Sequence, residues 1–236
     1  MNNSNYDPTN AGGFQSGRKE NTEQSFLIRV FNWMFMGLLT SGVAAYLVAT
    51  NPLIVRTIFN NPFLPIVLVI GLLVLVWNLS ANILKMSPQA AASNFFIYSA
   101  LNGVLLSTVL LVYTTSSIVN TFGVTACTFG LMALYGATTK SDLSKIGNMA
   151  IMALLGLIIA QVANMFFHNT AFEAAISYVG VLIFVALTAY DVQKIKEIGQ
   201  SSNFHPNMAV NGALALYLDF INLFLFLLRI MGNRRD

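Results

Sequence analysis

Seven long apolar runs, joined by connections of only a few residues, constrain this chain more than any other feature. They occupy 30–50, 63–84, 95–113, 118–138, 148–167, 174–195 and 208–230. A hydrocarbon core about 30 Å thick is crossed by roughly 20 residues of α-helix, so each run is long enough to span a bilayer. Backbone N–H and C=O groups inside lipid must be satisfied within their own segment, which requires helices rather than an open sheet. Composition points the same way. With 56% hydrophobic and 9% charged residues and a mean hydropathy of +0.68, there is too little polar surface to cover a soluble particle. The expected fold class is therefore all-α: a polytopic membrane protein with one seven-transmembrane-helix bundle over residues 25–236. Residues 1–24 are rich in Asn, Gly, Ser and Gln without apolar periodicity and are expected to form a tail disordered in solution. They do not resemble a cleavable signal, because the first apolar run starts too late and continues too long.

The positive charges report topology. A pI near 9.1 would suggest a nucleic-acid partner in a soluble protein. Here the 12 Lys and Arg are scattered between the runs, with no basic patch or aromatic-interleaved stripe, so no nucleic-acid partner is expected. With the N-terminus cytoplasmic, Arg18, Lys19, Arg29, Lys85, Lys140, Lys145, Lys194 and Lys196 all fall inside, and Arg56 falls outside. Arg229, Arg234 and Arg235 follow the last run and lie outside only if that run crosses completely; a re-entrant late segment would return them to the cytoplasm. Seven complete crossings are the expectation. The single cysteine, Cys127, sits mid-run among Thr125, Thr128 and Phe129 and reads as a small packing residue.

Two carboxylates stand where charge is costly. Of nine acidic residues, Asp191 lies near the end of the sixth run and Asp219 inside the seventh. A charge in hydrocarbon costs at least several kcal/mol, so each carboxylate should face a bundle interior or a wet cavity, and together they form the functional-site hypothesis. At 100° per residue, Asn211, Ala215, Asp219, Asn222, Phe226 and Arg229 fall within an arc of about 80°. Ser177, Thr188 and Asp191 share a face of the sixth run; Gln161, Asn164 and His168 share one of the fifth; Asn94, Tyr98 and Asn102 share one of the third. Asn211, Asn222, Thr188 and Ser177 are candidate pore-lining groups, although interhelical hydrogen bonds worth about 1 kcal/mol each account for such residues as well. Glue is a poorer account of the aspartates, since a neutral residue would bond without the desolvation cost. The runs place Asp191 about one turn and Asp219 about three turns from the connection between them, so their meeting requires a tilt, a kink or an early start of the last helix. If they meet, the pair shares one proton, titrates as a unit and acts as a pH sensor. Two carboxylates with nearby amide and carbonyl oxygens also suit Ca²⁺ as a hard cation.

Three segments carry a resemblance to a known family. The run Ala215-Leu216-Tyr217-Leu218-Asp219-Phe220-Ile221-Asn222-Leu223-Phe224, the segment Tyr190-Asp191 followed by Gln193-Lys194-Ile195, and Thr138-Thr139-Lys140-Ser141-Asp142-Leu143 look like the Bax inhibitor-1 family, with its bacterial YccA-like and YetJ-like branches. The similarity runs from about Phe26 to Gly232. It implies a seven-helix fold with the last helix central, wrapped by the other six. It implies a pH-sensitive calcium leak in which Asp191 and Asp219 form the proton and calcium sensor, with calcium the transported or bound ion and no other cofactor. In the YetJ-like branch an arginine near the end of the second helix latches onto the carboxylate pair. Here that region reads NILKMSPQ, where Lys85 is the only cation and so the candidate latch, without the rigid fork of a guanidinium. Some bacterial members instead bind a membrane protease of the FtsH type and regulate it, a role that the polar tail would suit. The resemblance further implies a multi-pass protein of the bacterial inner membrane.

Enzyme classes fit less well. An intramembrane aspartyl protease of the presenilin type would carry Gly-x-Gly-Asp where this chain has Leu216-Tyr217-Leu218-Asp219. Thr40-Ser41-Gly42 has no partner among the two histidines, His168 and His205, and Gly37, Ser41 and Ala45 read better as a small-residue packing seam. Two isolated histidines and one cysteine give no zinc constellation, and no phosphate-binding glycine loop is present. The chain is expected not to be an enzyme.

Overall fold

A computed structural model describes residues 9–61, 63–201, 205 and 207–235, with backbone only over 9–22. The described residues fold into eight helices: α1 (Thr9–Ala49), α2 (Pro52–Phe59), α3 (Phe63–Asn82), α4 (Pro88–Val112), α5 (Thr115–Thr138), α6 (Ser144–Phe167), α7 (Thr170–Gln200) and α8 (Met208–Met231). Seven of them are long and apolar enough to cross a membrane, all but the short α2. The protein is an integral, multi-pass membrane protein. The backbone is helical from Thr9 onward, inside the polar segment expected to be disordered, although the membrane-length part of α1 is Glu23–Ala49. Residues 1–8 of that segment lie outside the described residues.

Local chemistry sets the helix starts. Asn51 Oδ1 accepts from the amides of Leu53 and Ile54, with Pro52 opening α2. Ser87 Oγ accepts from the Ala90 amide, with Pro88 in the first turn of α4. Asn169 Oδ1 accepts from the Phe172 amide and starts α7. Each side chain satisfies an amide that the helix leaves free, and proline is tolerated in the first turn because its missing N–H has no partner to lose.

The last helix is central. The most apolar window of α8 is 61% buried, against 11–33% for the other six. α1, α4, α5 and α7 pack around α8, while α3 and α6 make their main contacts with α4 and α7 from outside. The expected sheath of six is thus an inner ring of four with two outriders. The seam on α1 packs against α4 as anticipated: a Cβ built at Gly37 would meet the Phe95 ring at 2.6 Å, and one at Gly103 would meet the Ser41 carbonyl. Cys127 is exposed on α5, on the outer face of the bundle, so the expectation of a packed residue is corrected.

Two features of the ends matter: the first departs from the sequence reading, and the second agrees with its seven complete crossings. α7 continues to Gln200, beyond the limit at 195, because polar side chains there hold neighbouring segments. Gln193 Oε1 accepts from the Leu143 amide at 2.8 Å and its Nε2 donates to the Ser141 carbonyl at 2.8 Å. Lys196 Nζ donates to the Ala137 carbonyl at 2.8 Å and pairs with Glu23 at 3.5 Å. α8 is one unbroken helix, so the chain end lies at the opposite end of the bundle from 201–207. There it pairs with the α4–α5 connection. Tyr113 and Arg234 form an antiparallel bridge, the Thr114 amide donates to the Asn233 carbonyl, and the Arg235 amide donates to the Val112 carbonyl.

This arrangement predicts labelling sides. In a Cys127→Ala background, cysteines at positions 114 and 234 should react with an impermeant thiol reagent from the same side of the membrane, and cysteines at 85 and 140 from the other. Reaction at 234 from the side of 140 would contradict the complete crossing of α8.

Candidate functional site

Asp191 and Asp219 meet. Because α7 runs on to Gln200, Asp191 lies well inside its helix, level with Asp219 on the antiparallel α8, and no kink is needed. Their carboxyl groups are near enough to act on one another. Asp219 is 4% exposed, and its Oδ2 is buried without a hydrogen-bond partner in the protein. Asp191 is half-buried. Tight packing fixes their level. A Cβ at Gly147 on α6 would collide with the Tyr190 ring, and one at Gly136 on α5 would strike the Ala189 carbonyl, so α5 and α6 both close on the two residues before Asp191.

The other candidate residues are placed differently from one another. Thr188 and Ser177 are buried on the Asp191 face, but their hydroxyls donate to carbonyls one turn back in α7, Phe184 at 2.7 Å and Glu173 at 2.9 Å. Asn222, half-buried on the Asp219 face, likewise donates to its own helix at Leu218, 2.8 Å away. These groups neither glue helices nor compete for the carboxylates; they satisfy themselves locally. Asn211 is half-buried in the first turn of α8. Lys85 is exposed in the turn after α3 and forms no ion pair among the described residues. The cation that acts on Asp191 is Lys194, one turn along the same helix, whose ammonium lies 5.8 Å from the centroid of the Tyr190 ring. Asp142, in the connection before α6, is fully exposed. The hydroxyl and amide of Ser144 that donate to it, with Lys145 nearby, hold its carboxyl below the usual carboxylate range. It therefore stays ionised through mild acid and cannot serve as a proton sensor there.

Sequence reasoning missed a second polar centre two residues from Asp219. The Tyr217 hydroxyl lies 2.7 Å from Ser41 Oγ on α1 and accepts from Asn102 Nδ2 on α4 at 2.7 Å; Ser41 also donates within reach of the Ser99 carbonyl, 2.7 Å away. The Tyr217 ring meets Phe95 and Tyr98 edge-on at 6.0 and 5.8 Å. Asn207 was missed too. Fully buried, it donates from Nδ2 to the carbonyls of Ile83 and Met86 and so ties the start of α8 to the α3–α4 turn. The only sequence signal for either was a polar atom inside or beside an apolar run.

No cluster of three or more His, Cys, Asp or Glu occurs among the described residues. Fold and site together define a class: a multi-pass bundle whose central helix carries a buried carboxylate against a second one on its hairpin partner. Comparison with known proteins is specific. Residues 23–236 match the family described as inhibitor of apoptosis-promoting Bax1. The chain is 46% identical over 218 residues to the inner membrane protein YbhL of Escherichia coli K12, covering 90% of this chain and 93% of that one. It is 45% identical over 218 residues to an uncharacterized protein of Borreliella burgdorferi, covering 91% and 94%. A Lactococcus lactis protein, YrjE, is 37% identical over 211 residues, covering 88% and 90%. The chain belongs to the Bax inhibitor-1 family.

The Tyr217 centre yields a stability test. Tyr217→Phe leaves the Asn102 amide without its acceptor and should lower stability by about 1 kcal/mol. Thermal unfolding in detergent should show a reduced midpoint, and Asn102→Ala should add little once Tyr217 is Phe; fully additive losses would mean that the two residues do not act together.

Proposed function

We propose that this protein is a pH-sensitive calcium leak of the inner membrane, gated by protonation of the Asp191–Asp219 pair. The observation that carries the reading is the nearness of two carboxyl groups on adjacent central helices, with Asp219 Oδ2 buried and unpartnered. Such an oxygen has unused capacity for a proton, a water or a cation. Two carboxylates are few for a tight calcium site, which takes six to eight oxygens, so the ion is cargo rather than a resident cofactor. Protons and calcium compete for the same oxygens, and acidification releases the closed arrangement. The N-terminus is cytoplasmic on this reading, supported by Lys85, Lys140, Lys194 and Lys196 lying toward one end of the bundle.

A second role has its own support. α1 extends toward Thr9 beyond its membrane-length part, and Glu23 at the junction is held by Lys196 and by Gln200, which donates to it at 2.9 Å. A polar extension anchored to α7 suits a handle for a membrane protease of the FtsH type. Deleting residues 1–22 should abolish that association and leave ion flux intact.

Calcium flux into proteoliposomes as a function of pH tests the main reading. Flux should rise on acidification in the parent protein, and the profile should flatten in Asp191→Asn/Asp219→Asn; an unchanged profile in that variant removes the sensor assignment. Because Lys194 rather than Lys85 lies beside Asp191, Lys194→Gln should change the leak at neutral pH severalfold, whereas Lys85→Ala should leave it near the parent level. The opposite ranking would restore Lys85 as the latch.

A further inference from the structure

The interface of α7 with α8 has a third layer outside the carboxylate pair. On α7, Glu173, Ser177, Gly180, Phe184, Thr188 and Asp191 follow at spacings of three or four and form one stripe. On α8, Arg229, Phe226, Asn222 and Asp219 form the facing stripe, running the other way. At the chain-end side of the bundle the two stripes open into a half-open cavity of about 410 Å³, where Met165 and Ile176 line the wall beside Asn164, His168, Glu173 and Arg229. At the inner end stands Asp219, with its Oδ2 buried and without a hydrogen-bond partner. Between them lies the Phe226 ring. It stacks on Phe184 with centroids 5.9 Å apart and planes 28° apart. Its other neighbour on α7 is Gly180, where a Cβ would come within 2.8 Å of the ring, so the absent side chain is the notch in which the ring sits. The Arg229 guanidinium, on the cavity side, lies 5.5 Å from the ring centroid. Phe226 is 5% exposed and Phe184 4%. Phe226 is two turns from Asp219 along α8, about 10 Å.

We infer that Phe226, seated in the Gly180 notch and stacked on Phe184, is a hydrophobic seal that separates the outer cavity from the carboxylate pair. This deepens the ion-leak reading and rests on it for the identity of what is excluded. An apolar ring between an open outer cavity and a buried carboxylate blocks ions by excluding water, since a hydrated cation cannot shed its shell against aromatic carbon. The ring is also placed to move. Cation–π attraction to Arg229 holds it on the cavity side and stacking on Phe184 holds it on the other, each a weak interaction by itself. Small rearrangements of α7 against α8 at the pair, seven residues away, would therefore be enough to shift the ring out of its notch.

The test reads water access and ion flux separately. Asn222, between the ring and Asp219, is replaced by cysteine in a Cys127→Ala background, and the protein is reconstituted into liposomes and exposed to a membrane-impermeant thiol reagent. With Phe226 present, labelling should be slow; with Phe226→Ala it should quicken severalfold, and with Phe226→Leu it should stay near the parent rate. Gly180→Ala, which displaces the ring without removing it, should quicken labelling as well and serves in place of Phe226→Ala should that variant not elute as a folded particle. Calcium entry at neutral pH, measured without the Asn222 reporter, should rise in the same two variants. Unchanged labelling in a folded Phe226→Ala or Gly180→Ala protein overturns the seal. Faster labelling with no calcium entry in any variant at any pH leaves the seal standing and removes the calcium reading instead.

Discussion

Close approach of helices at small residues is the constraint on which the rest of this structure depends. Inside a bilayer, apolar side chains gain nothing by leaving lipid for protein, so helix association rests on van der Waals contact and a few polar bonds. Both reward short distances. Gly103 lets α4 come onto the backbone of α1, and Gly136 lets α5 come onto the backbone of α7 at Ala189. Those approaches fix the depth of α1, α4, α5 and α7 around α8, and depth is what brings Asp191 level with Asp219. A side chain at Gly136 would push α5 off α7 two residues from Asp191, and one at Gly103 would part α4 from α1.

The polar inventory of the interior is economical. Most buried hydroxyls return to their own helix, as at Thr125, Thr188 and Ser177, and so leave the bundle electrically quiet. Cross-helix bonding is concentrated at Tyr217 and Asn207, both on or beside α8. Against that background one unsatisfied oxygen on Asp219 stands out, because nothing about holding the helices together requires it. An asparagine would fill the same volume with a neutral group, and the proposed leak gives the carboxylate a use that packing does not.

Much of this was legible in the sequence. Apolar run length gave the seven crossings because each run is about as long as hydrocarbon is thick, and the rarity of acidic residues picked out Asp191 and Asp219. What was not legible depended on pairing between distant segments. The polar run of Gln193, Lys194 and Lys196 reads as a helix end beside a membrane, yet Gln193 bonds to the α5–α6 connection and Lys196 to Ala137 and Glu23, and that bonding goes with the continuation of α7 to Gln200. Lys85 was a candidate because the family resemblance puts a latch cation there, whereas Lys194 stands one turn from Asp191 on the same helix and acts on it from there. Cys127 could not be assigned to a face because α5 carries small and polar residues on several sides. Tyr217 lay hidden in a motif whose aspartate drew the attention.

The fastening of α8 has a mechanical consequence. At one end Asn207 grips two carbonyls of the α3–α4 turn; at the other, residues 233–235 are stitched by backbone hydrogen bonds to the α4–α5 connection. A rod clamped at both ends can bow or twist but cannot slide. α8 is thus the stator of the molecule, and any working stroke belongs to the helices around it, with α3 and α6, each braced on a single long neighbour, having the greatest freedom to swing.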